Sequence, residues 1–110
     1  MPVELVKLQN LKTLDLSRNR LGGFIHEEMY NLKDLQILDL SINRFSGTLT
    51  TEIGLISGLL TLNVAQNGLS GMFPVEIRNV KELKYISVQN NLMHGNLDMI
   101  DSLIDLGELL

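Results

Sequence analysis

The sequence predicts an α/β solenoid. A curved parallel β-sheet would line its concave side, with short helical or 3₁₀ turns and irregular loops on the convex side. Three observations predict it. Asn19, Asn43, Asn67 and Asn91 recur every 24 residues without slippage, and Gly23, Gly47, Gly71 and Gly95 recur at the same interval. Leucine-type residues fill the columns between them: Leu14, Leu38, Leu62 and Ile86; Leu16, Leu40, Val64 and Val88; Leu11, Leu35, Leu59 and Leu83. The further columns Leu8, Leu32, Ile56, Val80 and Ile25, Leu49, Phe73, Leu97 keep the same register. Self-similarity at such a period marks stacked units, each burying its face only against its neighbours.

Within a unit each element has a physical cause. In Thr13-Leu14-Asp15-Leu16-Ser17 apolar and polar residues alternate, which predicts a strand with one buried face. Successive strands run in one direction and are joined by a long return path, so they must pair in parallel. The Asn after each strand stands where the chain leaves the sheet. Its side-chain amide both donates and accepts, so a stacked column can satisfy turn groups that would otherwise be buried unpaired. The Gly column marks a second bend, where a side chain would clash or the backbone needs positive φ. The stretches Glu27 to Leu32 and Glu76 to Val80 carry apolar residues three apart, which suits 3₁₀ turns.

Composition narrows the function. A net charge of −4 disfavours a nucleic-acid backbone or an anionic membrane surface. No apolar run approaches the roughly 20 residues of a membrane helix, and Met1-Pro2-Val3-Glu4 is not the start of a signal peptide. With no Cys there is neither a disulfide framework nor a thiolate zinc site. His26 and His94 occupy different repeat positions, and no third ligand or activated nucleophile accompanies either, so neither a metal nor a cofactor is expected. No phosphate-binding glycine loop and no N-x-S/T sequon occurs.

Asn19-Arg20-Leu21-Gly22-Gly23-Phe24-Ile25, Asn43-Arg44-Phe45-Ser46-Gly47-Thr48-Leu49 and Asn67-Gly68-Leu69-Ser70-Gly71-Met72-Phe73-Pro74 resemble the plant-specific leucine-rich repeat, usually written N-x-L-S-G-x-I-P. That repeat is found in the ectodomains of plant receptor-like kinases and receptor-like proteins, and in polygalacturonase-inhibiting proteins. The match covers nearly the whole chain. His26, Thr50 and Asp98 stand where the motif has Pro, while Pro2 and Pro74 keep it.

The whole of 1–110 reads as one leucine-rich-repeat domain: a partial unit at 1–7, units at about 8–31, 32–55, 56–79 and 80–102, and a truncated unit or cap at 103–110. Pro2-Val3-Glu4-Leu5-Val6-Lys7-Leu8 matches Pro74-Val75-Glu76-Ile77-Arg78-Asn79-Val80, so the chain opens within a repeat. Ile100, Leu103, Leu106 and Leu109 repeat the spacing of Ile77, Val80, Leu83 and Ile86 one residue early. A fifth unit cut short and an amphipathic acidic cap helix both fit that end. Plant ectodomains of this type commonly carry cysteine-paired caps, and neither end shows one. The reading is a fragment of a longer chain whose first sheet edge is bare.

Outward-facing strand positions form columns across the concave sheet: Thr13, Ile37, Thr61, Tyr85; Asp15, Asp39, Asn63, Ser87; Ser17, Ser41, Ala65, Gln89; Arg18, Ile42, Gln66, Asn90; and Arg20, Arg44, Gly68, Leu92. The resemblance implies that such columns recognise a protein or peptide ligand, or another leucine-rich-repeat ectodomain. Tyr85, Ile37, Ile42 and Leu92 are apolar or aromatic where a polar residue would be ordinary, and are the first contact candidates. Scattered exposed apolar residues are also common without any function. Arg18, Arg20 and Arg44 stand beside them, with Asp15 and Asp39 on adjacent strands. Paired carboxylates can act as acid and base when burial separates their pKa values. An open, wet sheet favours a structural or ligand-pairing role instead. Asn19, Asn43, Asn67 and Asn91 are read as a structural ladder.

The leading function is a non-enzymatic interaction module from the ectodomain of a plant receptor-like kinase or receptor-like protein, extracellular on a plasma-membrane parent. Any kinase would lie outside this chain. The alternative is a free-standing soluble repeat protein, either a secreted-enzyme inhibitor of the polygalacturonase-inhibitor type or a truncated decoy. Flanking coding sequence separates the two.

Overall fold

The computed structural model describes Leu8, residues 10–95 and Glu108–Leu109. Among the described residues, eight short strands are interspersed with three 3₁₀ turns: β1 Thr13–Asp15, β2 Gly22–Phe24, β3 Ile37–Asp39, β4 Arg44–Thr48, β5 Thr61–Asn63, β6 Gly68–Ser70, β7 Tyr85–Ser87 and β8 Glu108–Leu109. The 3₁₀ turns are Glu27–Asn31, Thr51–Leu55 and Val75–Asn79. Each falls where the sequence places apolar residues three apart.

The odd strands form one parallel sheet in the order β1-β3-β5-β7, extended by β8. Residues one period apart face each other: Leu14 opposite Leu38, Leu38 opposite Leu62, Leu62 opposite Ile86. Beyond them Leu109 pairs with Ile86; the two readings of the C-terminal segment concern residues that otherwise lie outside those described. The even strands β2-β4-β6 form a second parallel sheet beside the first. An isolated bridge from Met72 to His94 continues it into the next repeat. His26 and Thr50 in place of motif prolines do not interrupt this sheet; Asp98 lies outside the described residues. His26 takes the place of one and caps the following turn, its Nδ1 accepting the Glu28 N–H at 3.2 Å.

The core lies between the first sheet and the turns. The central residue of each of β1, β3, β5 and β7 points inward, and Leu38, Leu62 and Ile86 have no solvent exposure. On the convex side the hydrogen bonds step by three: Met29 N–H to His26 O (3.0 Å), Leu32 N–H to Met29 O (3.1 Å), Leu35 N–H to Leu32 O (3.2 Å). The later units repeat this run. Three residues per turn put every third side chain on one face, so Met29, Leu32 and Leu35 all enter the core. Truncating a fully buried leucine such as Leu62 to alanine costs about 2–5 kcal/mol in such packing. Tyr30 adds a tie between units. It is buried, its hydroxyl accepts the Thr50 N–H at 3.3 Å, and burial raises its pKa.

Candidate ligand-binding face

The outward side of the first sheet is built by strand register. Thr13, Ile37, Thr61 and Tyr85 are direct neighbours across β1, β3, β5 and β7, and Asp15, Asp39, Asn63 and Ser87 form the next row, in which Ser87, expected on the concave surface, is instead buried at 1% exposure. Ile37 is exposed, while Thr61 and Tyr85 are half-buried. Tyr85 thus stands beside Thr61, on a strand paired on both sides.

The chain then turns sharply, and the turn is made by side chains. Asp15 Oδ1 accepts the Ser17 N–H and hydroxyl at 3.0 and 2.6 Å. Asp39 holds Ser41 at the same distances, and Asn63 Oδ1 accepts the Ala65 N–H at 3.1 Å. These are local Asx turns. They account for the aspartates: each is engaged with its own turn, on a wet surface. The Ser17 hydroxyl, and then its N–H, hold Asp15 below the usual carboxylate range. Lowering one acid in this way separates no acid–base pair by burial.

The turn also corrects part of the column assignment. Ser41 and Ala65, expected on the concave surface, are buried at 6% and 4% exposure. Strand alternation has already ended there, and the turn swings both residues inward. Arg44 likewise departs from the concave sheet: it opens β4, and Gly68 at the same repeat position opens β6. Arg44 N–H donates to Leu21 O and Leu92 N–H to Leu69 O, both at 2.7 Å. Arg20, Arg44 and Leu92 therefore line the rim between the two sheets, with Leu92 70% exposed.

Arg18, Ile42, Gln66 and Asn90 follow the Asx turn, and all four have left-handed backbone, with φ of 58°, 56°, 56° and 61°. Asn tolerates this conformation; a β-branched Ile does so only at a cost. Ile42 is half-exposed and, with Arg18, Asn19 and Arg20, lines a shallow hollow of about 560 Å³ on the rim.

Behind the rim, the asparagines connect consecutive turns. Asn43 Nδ2 donates to Leu16 O (2.9 Å) in the preceding unit and to Leu40 O and Ser41 O (3.1 Å each) in its own. Its Oδ1 accepts the Leu21 N–H at 3.1 Å. Asn67 and Asn91 repeat the pattern, accepting Phe45 N–H and Leu69 N–H at 3.0 Å. Asn19 donates to Leu16 O and Ser17 O. These bonds hold the loops that carry Arg18 and Ile42.

Two features escape the period-24 reading. The left-handed column carries no residue type of its own, since Arg, Ile, Gln and Asn share it. On the second sheet, Phe24 and Met72 are exposed large apolar residues. Their place after the conserved-interval glycine was legible as a column, but not as a surface.

Comparison with known proteins places the chain. A family profile described as leucine rich repeat matches residues 4–45. No curated protein sequence matches the chain. Among solved structures it is similar to the plant peptide hormone receptor RGFR1 in complex with RGF2, at 32% identity and TM-score 0.89, covering 99% of this chain and 18% of that one. It is similar to the ectodomain of the receptor kinase SOBIR1 from Arabidopsis thaliana, at 34% identity and TM-score 0.87, covering 96% and 58%. A third is the Arabidopsis receptor kinase HAESA in complex with the peptide hormone IDA and the co-receptor SERK1, at 35% identity and TM-score 0.84, covering 93% and 17%. The chain therefore spans less than two thirds of each of these proteins.

Proposed function

We propose that the chain is part of a leucine-rich-repeat ectodomain of the kind carried by plant receptor kinases, to which it is similar, and that its concave face and rim bind a peptide or protein ligand. One observation carries the reading. Ile42, a β-branched residue, is kept in left-handed backbone at the edge of an open hollow, where it is only half-buried. Folding gains little from it there, and strain of this kind concentrates where a protein meets ligands. Arg18 and Arg20 beside it carry guanidiniums that match carboxylates in a fork geometry. Tyr85 and Ile37 supply apolar area across the sheet, and aromatic anchors of this kind dominate binding energy. The ligand is an extended segment with an apolar side chain on Tyr85 and Ile37 and an acidic group toward the arginines. That two of the similar receptors are seen with peptide hormones, one of them together with a co-receptor, supports this choice of ligand class.

On this reading the parent is anchored in the plasma membrane with these repeats outside the cell. Downstream coding sequence for a membrane helix and kinase would support the receptor, and a stop codon after a capped repeat block would select a soluble inhibitor or decoy instead. Binding is tested on the parent ectodomain with a panel of secreted peptides, measured by calorimetry. Against the peptide that binds, Tyr85→Ala weakens affinity by about 30-fold, or ~2 kcal/mol, with circular dichroism unchanged. Glu28→Ala and Arg78→Ala on the convex side leave it intact. The reverse pattern removes the concave-face assignment.

A further inference from the structure

The second sheet presents a surface that the concave reading does not use. Phe24, Thr48 and Met72 follow the left-handed glycine in three consecutive units. Each leans across the glycine of the next unit. A Cβ placed on Gly47 would meet Phe24 Cδ1 at 2.6 Å, one on Gly71 would meet Thr48 Cγ2 at 2.8 Å, and one on Gly95 would meet Met72 Cε at 3.9 Å. The glycines thus leave room for a lateral row of side chains that do not enter the core: Phe24 is 78% and Met72 65% exposed.

Between this row and the 3₁₀ turns runs an open groove of about 540 Å³, walled by residues 48–52 of one unit and 72–76 of the next. Leu49, Phe73 and Pro74 form a buried apolar floor, while Met72 and Val75 stand exposed along it. Its charges have one sign. Glu27, Glu52 and Glu76 line the groove, and no Lys or Arg does. Glu27, Glu28 and Glu52 also surround a smaller adjoining hollow of about 230 Å³, so the acidic edge continues toward the first turn.

We propose that this lateral groove docks a basic, aliphatic segment of a protein partner, an extended stretch in which apolar side chains alternate with lysine or arginine. Lysine and arginine lay their methylene stems along apolar surface while the cation reaches outward. Here the stems lie on Met72 and Val75 and the cations meet Glu52 and Glu76. The apolar residues between them cover the floor of Leu49 and Phe73. An acidic segment is repelled by the rim, and a neutral apolar one leaves the three glutamates without a counter-charge. Because the rim is exposed, its charges act chiefly through association rate and salt dependence. The site is separate from the concave face and does not depend on the ligand bound there.

The test uses the 110-residue chain, isotope-labelled, titrated with a synthetic extended peptide of alternating leucine and lysine and followed by amide chemical shifts. Saturable binding is expected, with the shifts concentrated at residues 48–52 and 72–76 and affinity falling from low to physiological salt. The double variant Glu52→Gln/Glu76→Gln, and separately Met72→Ser, should each weaken it about tenfold or more, on the scale of losing a central contact. Tyr85→Ala should leave it unchanged, which keeps this site distinguishable from the concave one. A leucine–glutamate peptide of the same length should not bind. Absence of saturable binding, shifts centred on the concave strands, equal binding of the acidic peptide, or variants that bind like the parent would each overturn the proposal.

Discussion

Replacing Asn67 by alanine tests how much of the fold hangs on the loops behind the rim. Asn67 Nδ2 donates to Leu40 O, Val64 O and Ala65 O at 2.9, 3.2 and 3.3 Å, and its Oδ1 accepts Phe45 N–H at 3.0 Å. The carbonyls survive its loss. Leu40 O still receives Asn43 Nδ2, Val64 O still receives Asn91 Nδ2, and Ala65 O still receives the Ile42 N–H. Phe45 N–H does not. Arg44 N–H points to Leu21 O, so the next N–H along the strand faces the opposite way, into the loop that Asn67 fills. Phe45 itself has no solvent exposure. One orphaned buried donor costs about 1–3 kcal/mol, and each lost net hydrogen bond about 0.5–1.5 kcal/mol. One orphaned donor and three lost bonds sum to roughly 2.5–7.5 kcal/mol, and the low end, about 2.5–4 kcal/mol, applies because each of the three carbonyls keeps another partner. For a domain of this size that lowers the melting temperature by roughly 10–25 °C. Asn19 provides the internal comparison. It donates to two carbonyls from an exposed position, and one of them, Leu16 O, is also held by Asn43. Asn19→Ala should therefore cost under about 1 kcal/mol. Urea denaturation followed by circular dichroism measures both. Equal losses at the two positions, or none at Asn67, would refute the reasoning.

Other outcomes follow from the same geometry. Ile42→Asn removes a β-branched residue from left-handed backbone and should stabilise the chain by about 1 kcal/mol in thermal melts; a loss of stability would show that the Ile side chain packs to advantage. Gly54→Ala should destabilise by about 1–3 kcal/mol, because its Cβ would lie 2.7 Å from the Glu76 carbonyl oxygen. Gly58→Ala, whose nearest neighbour is 3.9 Å away, should be tolerated, and a reversed order of melting temperatures would disprove the packing of the turns. Asp15 has a lowered folded pKa, so its contribution is present above the unfolded carboxylate value of about 3.9 and is lost as pH falls through the folded value. Carbon-detected titration should show that Ser17→Ala moves the Asp15 pKa upward, and an unchanged midpoint would acquit Ser17.

What the sequence determined alone was the set of interactions that repeat. Stacked units touch only their neighbours, so a residue that meets its own counterpart one unit away leaves a column in the sequence. Leu14, Leu38, Leu62 and Ile86 do so across the first sheet. The apolar residues at every third position announce the 3₁₀ turns, and Gly23, Gly47 and Gly71 announce the left-handed bends, where φ is 78–79°. Tertiary structure decided whatever depends on where the strand ends. Alternation would carry Ser41 and Ala65 outward, but Asp39 and Asn63 turn the chain one residue earlier and bury them. The same turn moves Arg44 into the second sheet and puts Ile42 in left-handed backbone, a conformation marked by no residue type because the bonds around it, not the side chain, impose it. The lateral groove is also a tertiary product. The lean of Phe24, Thr48 and Met72 is set by glycines one unit further on, and its acidic rim joins glutamates from three different turns. A column shows which residues stack; the direction each one faces is settled only when the next unit is in place.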